Sequence, residues 1–380
     1  MRIVLLTPVY FPVIGGVTNT VDQLRKAAIS RGDSVLIVTP VGSVSEESID
    51  GNVMRLCIPD HPAMGEGPFG YLRAQALRTR ARYKMRRLLQ EYKTEIIHIQ
   101  CPVPKFQGLL PSEMPILITY QGSDVLQLHG PTSSYLNELN DQARHVSAVS
   151  GALLAEIVDL RPQLMGKASR IPNGRPSAEE LSVFREQTNG GERYVLFAGD
   201  LNYRKAPDVL LRSFLKLPSS NNHLLYFIGD GPQRDELRNI ATRLNIADKV
   251  RFLGTLNRES TLGYIRNADV VVVPSRREGL PLVILEAMSL GCPVVASAIS
   301  ACVALIKHGL NGYLFEPENA AELAEYLGRI ITDESHREEL SHGCLKAVLS
   351  HPTWDKVYEQ YRSTYEQLLA GSSGPTTGDR

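Results

Sequence analysis

The chain has 380 residues, 41 Lys and Arg balanced by 41 Asp and Glu, and 43% apolar residues. That length accommodates two globular domains of ordinary size, and a net charge of zero gives no bulk electrostatic reason to bind nucleic acid. No apolar run reaches a membrane span, Met1–Arg2 lead straight into a strand with no room for a signal peptide, and Cys57, Cys101, Cys292, Cys302 and Cys344 are scattered without metal-ligand spacing, which points to a reduced, cytoplasmic protein.

From the N-terminus, residues 3–6 read as a buried strand and 7–16 as a loop ending in Gly15–Gly16. Residues 18–30 then read as a helix capped by Thr18 or Asn19 and stopped near Gly32. This is a Rossmann opening, but G-x-G-x-x-G is absent and the loop is too long for a tight dinucleotide turn, which argues against an NAD enzyme. Strands at 34–39, 53–57, 95–100, 116–120 and 145–149 alternate mostly with helical spacing, as in a parallel doubly wound sheet. The helix expected at 72–92 sets Leu72, Ala76, Ala81, Met85, Leu88 and Tyr92 against Arg73, Arg78, Arg80, Arg82, Lys84, Arg86 and Arg87. Such a basic face is either solvated or a surface for anionic lipid. After the strand at 116–120, the turn at 121–124 carries Gln121 and Asp124; Gln121 exchanges hydrogen bonds with hydroxyls but does not titrate near neutral pH.

The polar segment 179–191 reads as the linker between domains. A strand at 194–198 leads into a loop with adjacent Arg204 and Lys205, and then into a helix at 208–215. Two cations at a strand's C-terminal end suit a diphosphate, though a solvated basic pair has the same sequence. Strands follow at 224–228 and 250–253, the second ending in Gly254, with a helix from Gln233 between them. Residues 270–273 are all valine, the pattern of a strand buried on both faces, and Pro274 stops it. The loop 275–279 then lies where open α/β sheets place ligands. Pro281 suits the first position of a helix running over 282–290 to Gly291, and 293–297 is the next strand. The first amides of that helix, near Leu282 and Val283, suit a phosphate, and Gly279 lets backbone approach a ligand. Glu278 and Glu286 bracket the helix start; as paired acceptors, one suits a sugar ring and the other a ribose, while spacing alone equally allows two solvated glutamates. A helix is expected at 354–369 and a disordered Gly/Ser/Thr-rich tail at 370–380.

The run EGLPLVILEA at 278–287 resembles the E-x7-E signature of the retaining, nucleotide-sugar-dependent glycosyltransferases of family four. The resemblance implies the GT-B fold: α/β, with two Rossmann-like doubly wound parallel-sheet domains facing a cleft. Residues 1–180 would form the acceptor domain, completed by the helix at 354–369, and 190–353 the donor domain. In that family the first glutamate, here Glu278, faces the donor sugar and the second, here Glu286, binds the ribose. Gly15–Gly16 is similar to the family's G-G loop, Gly254 to an F-x-G stretch lining the base pocket through backbone, and Lys205 to the lysine of G-R-L-x-x-x-K-G. The turn at 119–124 resembles T-x-H-G-S-D near the donor sugar, with Gln121 in place of the histidine. Asp200 stands where an arginine is expected, with Arg204 as a second cation from a different angle, and 298–306 departs from D-x-G-G-x-P-E-x-I throughout.

The expected catalytic residues are therefore Glu278, Arg204 and Lys205. Glu286, Gly279, Leu280, Pro281, Leu282, Val283, Gly254, Gly16, Gln121 and Asp124 would bind the donor, with no metal and no cofactor beyond the UDP- or GDP-sugar substrate. The acceptor would be a glycan, a lipid-linked or a small molecule, read by 42–51 and 60–70. The helix at 72–92 would give peripheral contact with an anionic membrane on its cytoplasmic side. The changes at Gln121, Asp200 and 298–304 also fit a weakened relative that binds nucleotide or glycan, and a sugar-nucleotide epimerase is the third alternative.

Overall fold

The computed structural model describes residues 1–41, 48–58, 67–128, 133–182, 191–218 and 222–371. The chain divides into two compact units, Met1–Pro172 with Asp355–Arg380, and Asn173–Trp354. The first crossing thus falls ahead of the polar segment 179–191, of which 183–190 lie outside the described residues. Of the expected acceptor loops, 42–47 and 59–66 also lie outside them, as does most of the C-terminal tail, 372–380.

The first unit is built from β1 (Arg2–Leu6), α1 (Gly16–Ser30), β2 (Ser34–Pro40), β3 (Ser48–Asp50), β4 (Val53–Leu56), α2 (Gly67–Glu91), β5 (Ile96–Gln100), β6 (Ile116–Tyr120), α3 (Ser133–Gln142), β7 (His145–Ala148), α4 (Gly151–Leu160) and β8 (Ala168–Arg170). Its sheet runs β3-β4-β2-β1-β5-β6-β7-β8. All pairings are parallel except the edge hairpin of β3 with β4; β3, like β8, is too short to stand out in the sequence. Helix α1 begins earlier than Thr18: Gly15 is the cap residue without a side-chain cap, and the Thr18 hydroxyl donates instead to the Val13 carbonyl at 2.9 Å. Helix α2 buries Arg78, Ala81, Met85 and Leu89, while Ala76 is exposed. The side chains of 67–74, which include Leu72 and Arg73, lie outside the described ones.

The second unit comprises α5 (Ala178–Ser182), β9 (Tyr194–Ala198), α6 (Pro207–Phe214), β10 (Leu224–Ile228), α7 (Arg234–Arg243), β11 (Val250–Gly254), α8 (Arg258–Asn267), β12 (Val270–Val273), α9 (Leu282–Ser289), β13 (Val294–Ser297), α10 (Ser300–Val303), β14 (Tyr313–Phe315), α11 (Ala320–Thr332) and α12 (Glu334–Val348). The last helix, α13 (Trp354–Ala370), returns the chain to the first unit. The second sheet is wholly parallel, in the order β11-β10-β9-β12-β13-β14. Two cores cover its two faces: Val195, Phe197, Val270, Val272 and Val295 enter one, and Tyr194, Leu196, Val271, Val273 and Val294 the other. Period-two alternation between two apolar layers explains why these strands read as unbroken hydrophobic runs. The chain leaves β9 toward one edge and returns to β12 to build the other, so the order reverses between them. The loops after these two strands meet where an open α/β sheet binds its ligand.

Candidate functional site

Those two loops hold a compact ion cluster. Lys205 Nζ lies 2.6 Å from Glu278 Oε1, and Arg204 Nη1 lies 3.1 Å from Oε2. The Ser275 hydroxyl donates to Oε1 at 2.7 Å, and the Ser297 hydroxyl at the end of β13 donates to the Ser275 carbonyl at 2.5 Å. The Glu278 side chain is only 6% exposed. Burial alone would push its carboxyl up, but the Lys205 and Arg204 charges outweigh that and hold it below its ordinary value. The sequence-level trio is thus brought together, with both cations on the glutamate.

The surrounding backbone is tightly stitched. Asn202 Oδ1 accepts the Lys205 N–H at 3.1 Å, and the Arg276 N–H donates to the Arg204 carbonyl at 2.8 Å. The Arg276 guanidinium stacks 4.0 Å from the Tyr203 ring and pairs with Asp208 and Glu318 at 3.2 and 2.6 Å. Ala206, next to Lys205 and fully buried, takes φ 51° and ψ 47°, a left-handed conformation that costs a non-glycine residue about 1–2 kcal/mol. Strain of this kind persists where the surroundings over-determine it, and here it sits beside a catalytic candidate. A methyl at Gly229 would come within 2.1 Å of the Gly199 carbonyl oxygen, so the loop after β10 presses directly on the one that carries the cations.

Glu286 lies inside α9 and is buried, in ion-pair contact with the Arg258 guanidinium, whose Nε is 2.8 Å from Glu180 Oε1. Arg258 was not among the residues singled out from the sequence. Its one signal was its position, a cation at the first residue of a helix after the Asn257 cap, where the helix dipole disfavours positive charge. Gly279, Leu280 and Pro281 are buried, and Leu282 and Val283 open α9 half-buried. Pro281 is the cap residue and not the first helical position: its ψ of 106° is extended, and its carbonyl accepts the Ile284 N–H at 3.1 Å. Gly254 has φ +71°, which calls for glycine, and its carbonyl accepts the Gly229 N–H at 2.8 Å. The divergent stretch 298–306 contains the short helix α10, whose Ala301 and Cys302 are buried.

In the first unit, Asp124 serves its own turn. Its carboxylate accepts the backbone amides of Gln121 at 2.9 Å, Gly122 at 2.7 Å and Val125 at 3.1 Å. Burial pushes it up to about 6, partly offset by those amides. Gln121 donates through Nε2 to Gln100 Oε1 at 2.6 Å. Gly15 and Gly16 have no heavy atom near an added Cβ and no left-handed φ, so the fold itself gives no reason for glycine there.

Residues 14–178 match the family model described as Glycosyltransferase Family 4, and 179–343 the one described as Glycosyl transferases group 1. The chain belongs to glycosyltransferase family 4. An uncharacterized glycosyltransferase of Methanocaldococcus jannaschii is 27% identical over 96% of this chain and 98% of its own length. The D-inositol 3-phosphate glycosyltransferase of Mycolicibacterium smegmatis is 34% identical over 53% of this chain and 48% of its own. Among solved structures, Anabaena HepE in complex with UDP-glucose has a TM-score of 0.73 at 20% identity, over 97% of this chain and all of that one. At that identity the likeness concerns the fold, two Rossmann-like units of the GT-B type. This family 4 member is a glycosyltransferase, and the matches favour neither the weakened binding protein nor the epimerase.

Proposed function

We propose that this glycosyltransferase draws its sugar from a UDP- or GDP-sugar, retains the anomeric configuration, needs no metal ion, and delivers to a glycan, lipid-linked or small-molecule acceptor. The observation that carries this function is the convergence of Lys205 and Arg204 on one buried carboxylate at the switch point of the second sheet. An arriving pyrophosphate shares those cations with Glu278 and takes them over as charge grows on the leaving group. Preorganised groups of this kind contribute about 3–4 kcal/mol each to the transition state. Glu278, kept ionised, accepts sugar hydroxyls and orients the ring without acting as a base. The departing phosphate takes the acceptor's proton on the face it leaves, which preserves configuration.

In this function Glu286, aligned by Arg258, accepts the paired ribose hydroxyls, and the first amides of α9 at Leu282 and Val283 meet phosphate oxygens. Gly254 borders the base through backbone, while Gly279, Leu280 and Pro281 shape the sugar pocket. Gly16 and Gln121 are further proposed donor-binding residues, and Asp124 holds the turn that carries Gln121. HepE's complex with UDP-glucose makes the uridine series the first to test. Ligand at 100 times its Kd stabilises a fold by about 2.7 kcal/mol, so a melting screen against UDP, GDP, ADP and their sugars reads the site directly. A chain that melts at the same temperature with all of them has no such donor site.

We also propose that α2 gives peripheral contact with anionic lipid. Support comes from exposed Arg80, Arg86 and Arg87 around Tyr83, which is 68% exposed, although Arg78 and Arg82 are engaged by the carbonyls of Gln107 and Gly108. Among the described residues no helix is long and apolar enough to cross a membrane. Cosedimentation with phosphatidylserine vesicles that survives Arg80, Arg86 and Arg87→Gln would remove α2 from that role.

A further inference from the structure

Beneath Gln121 lies a buried polar row that the reaction outlined above does not use. In the parallel register of β5, β6 and β7, Gln100 stands beside Thr119 and Thr119 beside Ser147, and His98 is two residues before Gln100 on the same face. Helix α13 covers that face with Tyr361 and Tyr365, and all six side chains are buried. His98 Nδ1 is 2.6 Å from the Tyr365 hydroxyl, and its Nε2 is 2.7 Å from Thr119 Oγ1 and 2.8 Å from Gln100 Nε2. The other end of the Gln100 amide, Oε1, accepts from Gln121 Nε2 at 2.6 Å. Burial pushes His98 down to about 3, so the ring is neutral, with one nitrogen that donates and one that accepts.

Those contacts couple the two amides to the ring, while the Thr119 hydroxyl at Nε2 donates or accepts and so suits either tautomer. With the proton on Nδ1, His98 donates to Tyr365, and Nε2 accepts from the Gln100 amide nitrogen. The Gln100 oxygen then faces Gln121, which must offer its own nitrogen. Moving the proton to Nε2 reverses each amide in turn, since any single flip sets donor against donor or acceptor against acceptor in a buried setting, where an orphaned polar group is costly.

We propose that His98 and Tyr365 are positioning residues: through Gln100, the tautomer of His98 sets which end of the Gln121 amide turns inward and which turns away from the core. Its bearing on sugar recognition rests on Gln121 lying at the donor, as proposed above. Gln121 would then stand in for a histidine with a hydrogen-bonding sense dictated by His98, two hydrogen bonds away, and tied down by the C-terminal helix.

The test is Gln121→Glu at pH 8. An ionised carboxylate only accepts, so Gln100 must turn its nitrogen outward and its oxygen to His98 Nε2, which must then carry the proton. Nitrogen-15 correlation spectra of histidine-labelled protein, with the His98 signals identified by their loss in His98→Gln, read that directly. The expected result is an Nδ1–H tautomer in the native chain and Nε2–H in Gln121→Glu; the same tautomer in both overturns the proposal. Because no ligand is involved, this outcome is independent of whether nucleotide sugar binds. A second measurement serves if the variant does not fold. Tyr365→Phe should raise the donor KM several-fold with little change in kcat, and should have no such effect in a Gln121→Ala background; strictly additive effects overturn the coupling.

Discussion

Lys205 and Arg204 share a single carboxylate, so when one is removed the other still compensates Glu278, and the loss should be felt in rate more than in folding. Lys205→Ala is expected to lower kcat by about 10²–10³, the cost of losing one preorganised donor. Transfer within threefold of the native rate would take Lys205 out of the chemistry. Arg258 is different, because it separates Glu286 from Glu180 in a buried setting. Arg258→Met leaves the buried Glu286 carboxylate without this cation and should cost about 3 kcal/mol in urea unfolding. Pairing it with Glu286→Gln should return part of that, and identical stability of the single and double variants would contradict the ion-pair account. Asp124 has a folded value raised to about 6, and an unperturbed aspartate lies near 3.9, so its contribution is fully present below the unfolded value and is lost as pH rises through 6. Unfolding free energy should fall by about 1–3 kcal/mol between pH 4 and 6.5 from this group, a slope absent in Asp124→Asn.

At the scale of elements, close backbone contacts decide more than propensity. Helix α12 packs Gly343 against the loop before β14 so tightly that a methyl there would sit 1.9 Å from the Leu310 carbonyl oxygen. In an isolated helix Gly→Ala gains about 1 kcal/mol. Here Gly343→Ala should instead lose at least about 2 kcal/mol, because the blocking atoms are backbone. A melting temperature equal to or above the native one would show that the loop gives way. The same logic separates the candidate glycines: Gly229 and Gly231 are required by carbonyls of the loop after β9, whereas a Cβ added at Gly15 or Gly16 would meet nothing within 4 Å.

For the whole molecule, the first unit is discontinuous, since α13 supplies it with Tyr358, Tyr361 and Tyr365, each nearly fully buried. An aromatic side chain buries about 150–250 Å², worth roughly 4–6 kcal/mol at 25 cal/mol per Å². Three of them rival the 5–15 kcal/mol stability of a domain. A chain ending at Trp354 should therefore lose the cooperative unfolding of the first unit while 173–354 keep theirs. Two intact calorimetric transitions in that shortened chain would show that α13 is dispensable.

Most of the strands, and Arg204, Lys205 and Glu278 as separate candidates, were legible in the sequence because their signals are local; the pairing of both cations with the glutamate was not. The valines of 270–273, the Gly-punctuated loops and the E-x7-E run each lie within a few residues, and periodicity and turn chemistry act at that range. Pro281 as cap, Thr18 turned to Val13 and Asp124 turned to its own backbone are choices among local partners that the sequence left open, whereas Arg258 on Glu286, 28 residues away, was decided only when distant elements came together. Each is a choice among hydrogen-bond or ion-pair partners of nearly equal local merit. Such a choice is made by which polar groups burial leaves together, and that is a property of the packed sheet and not of any one segment.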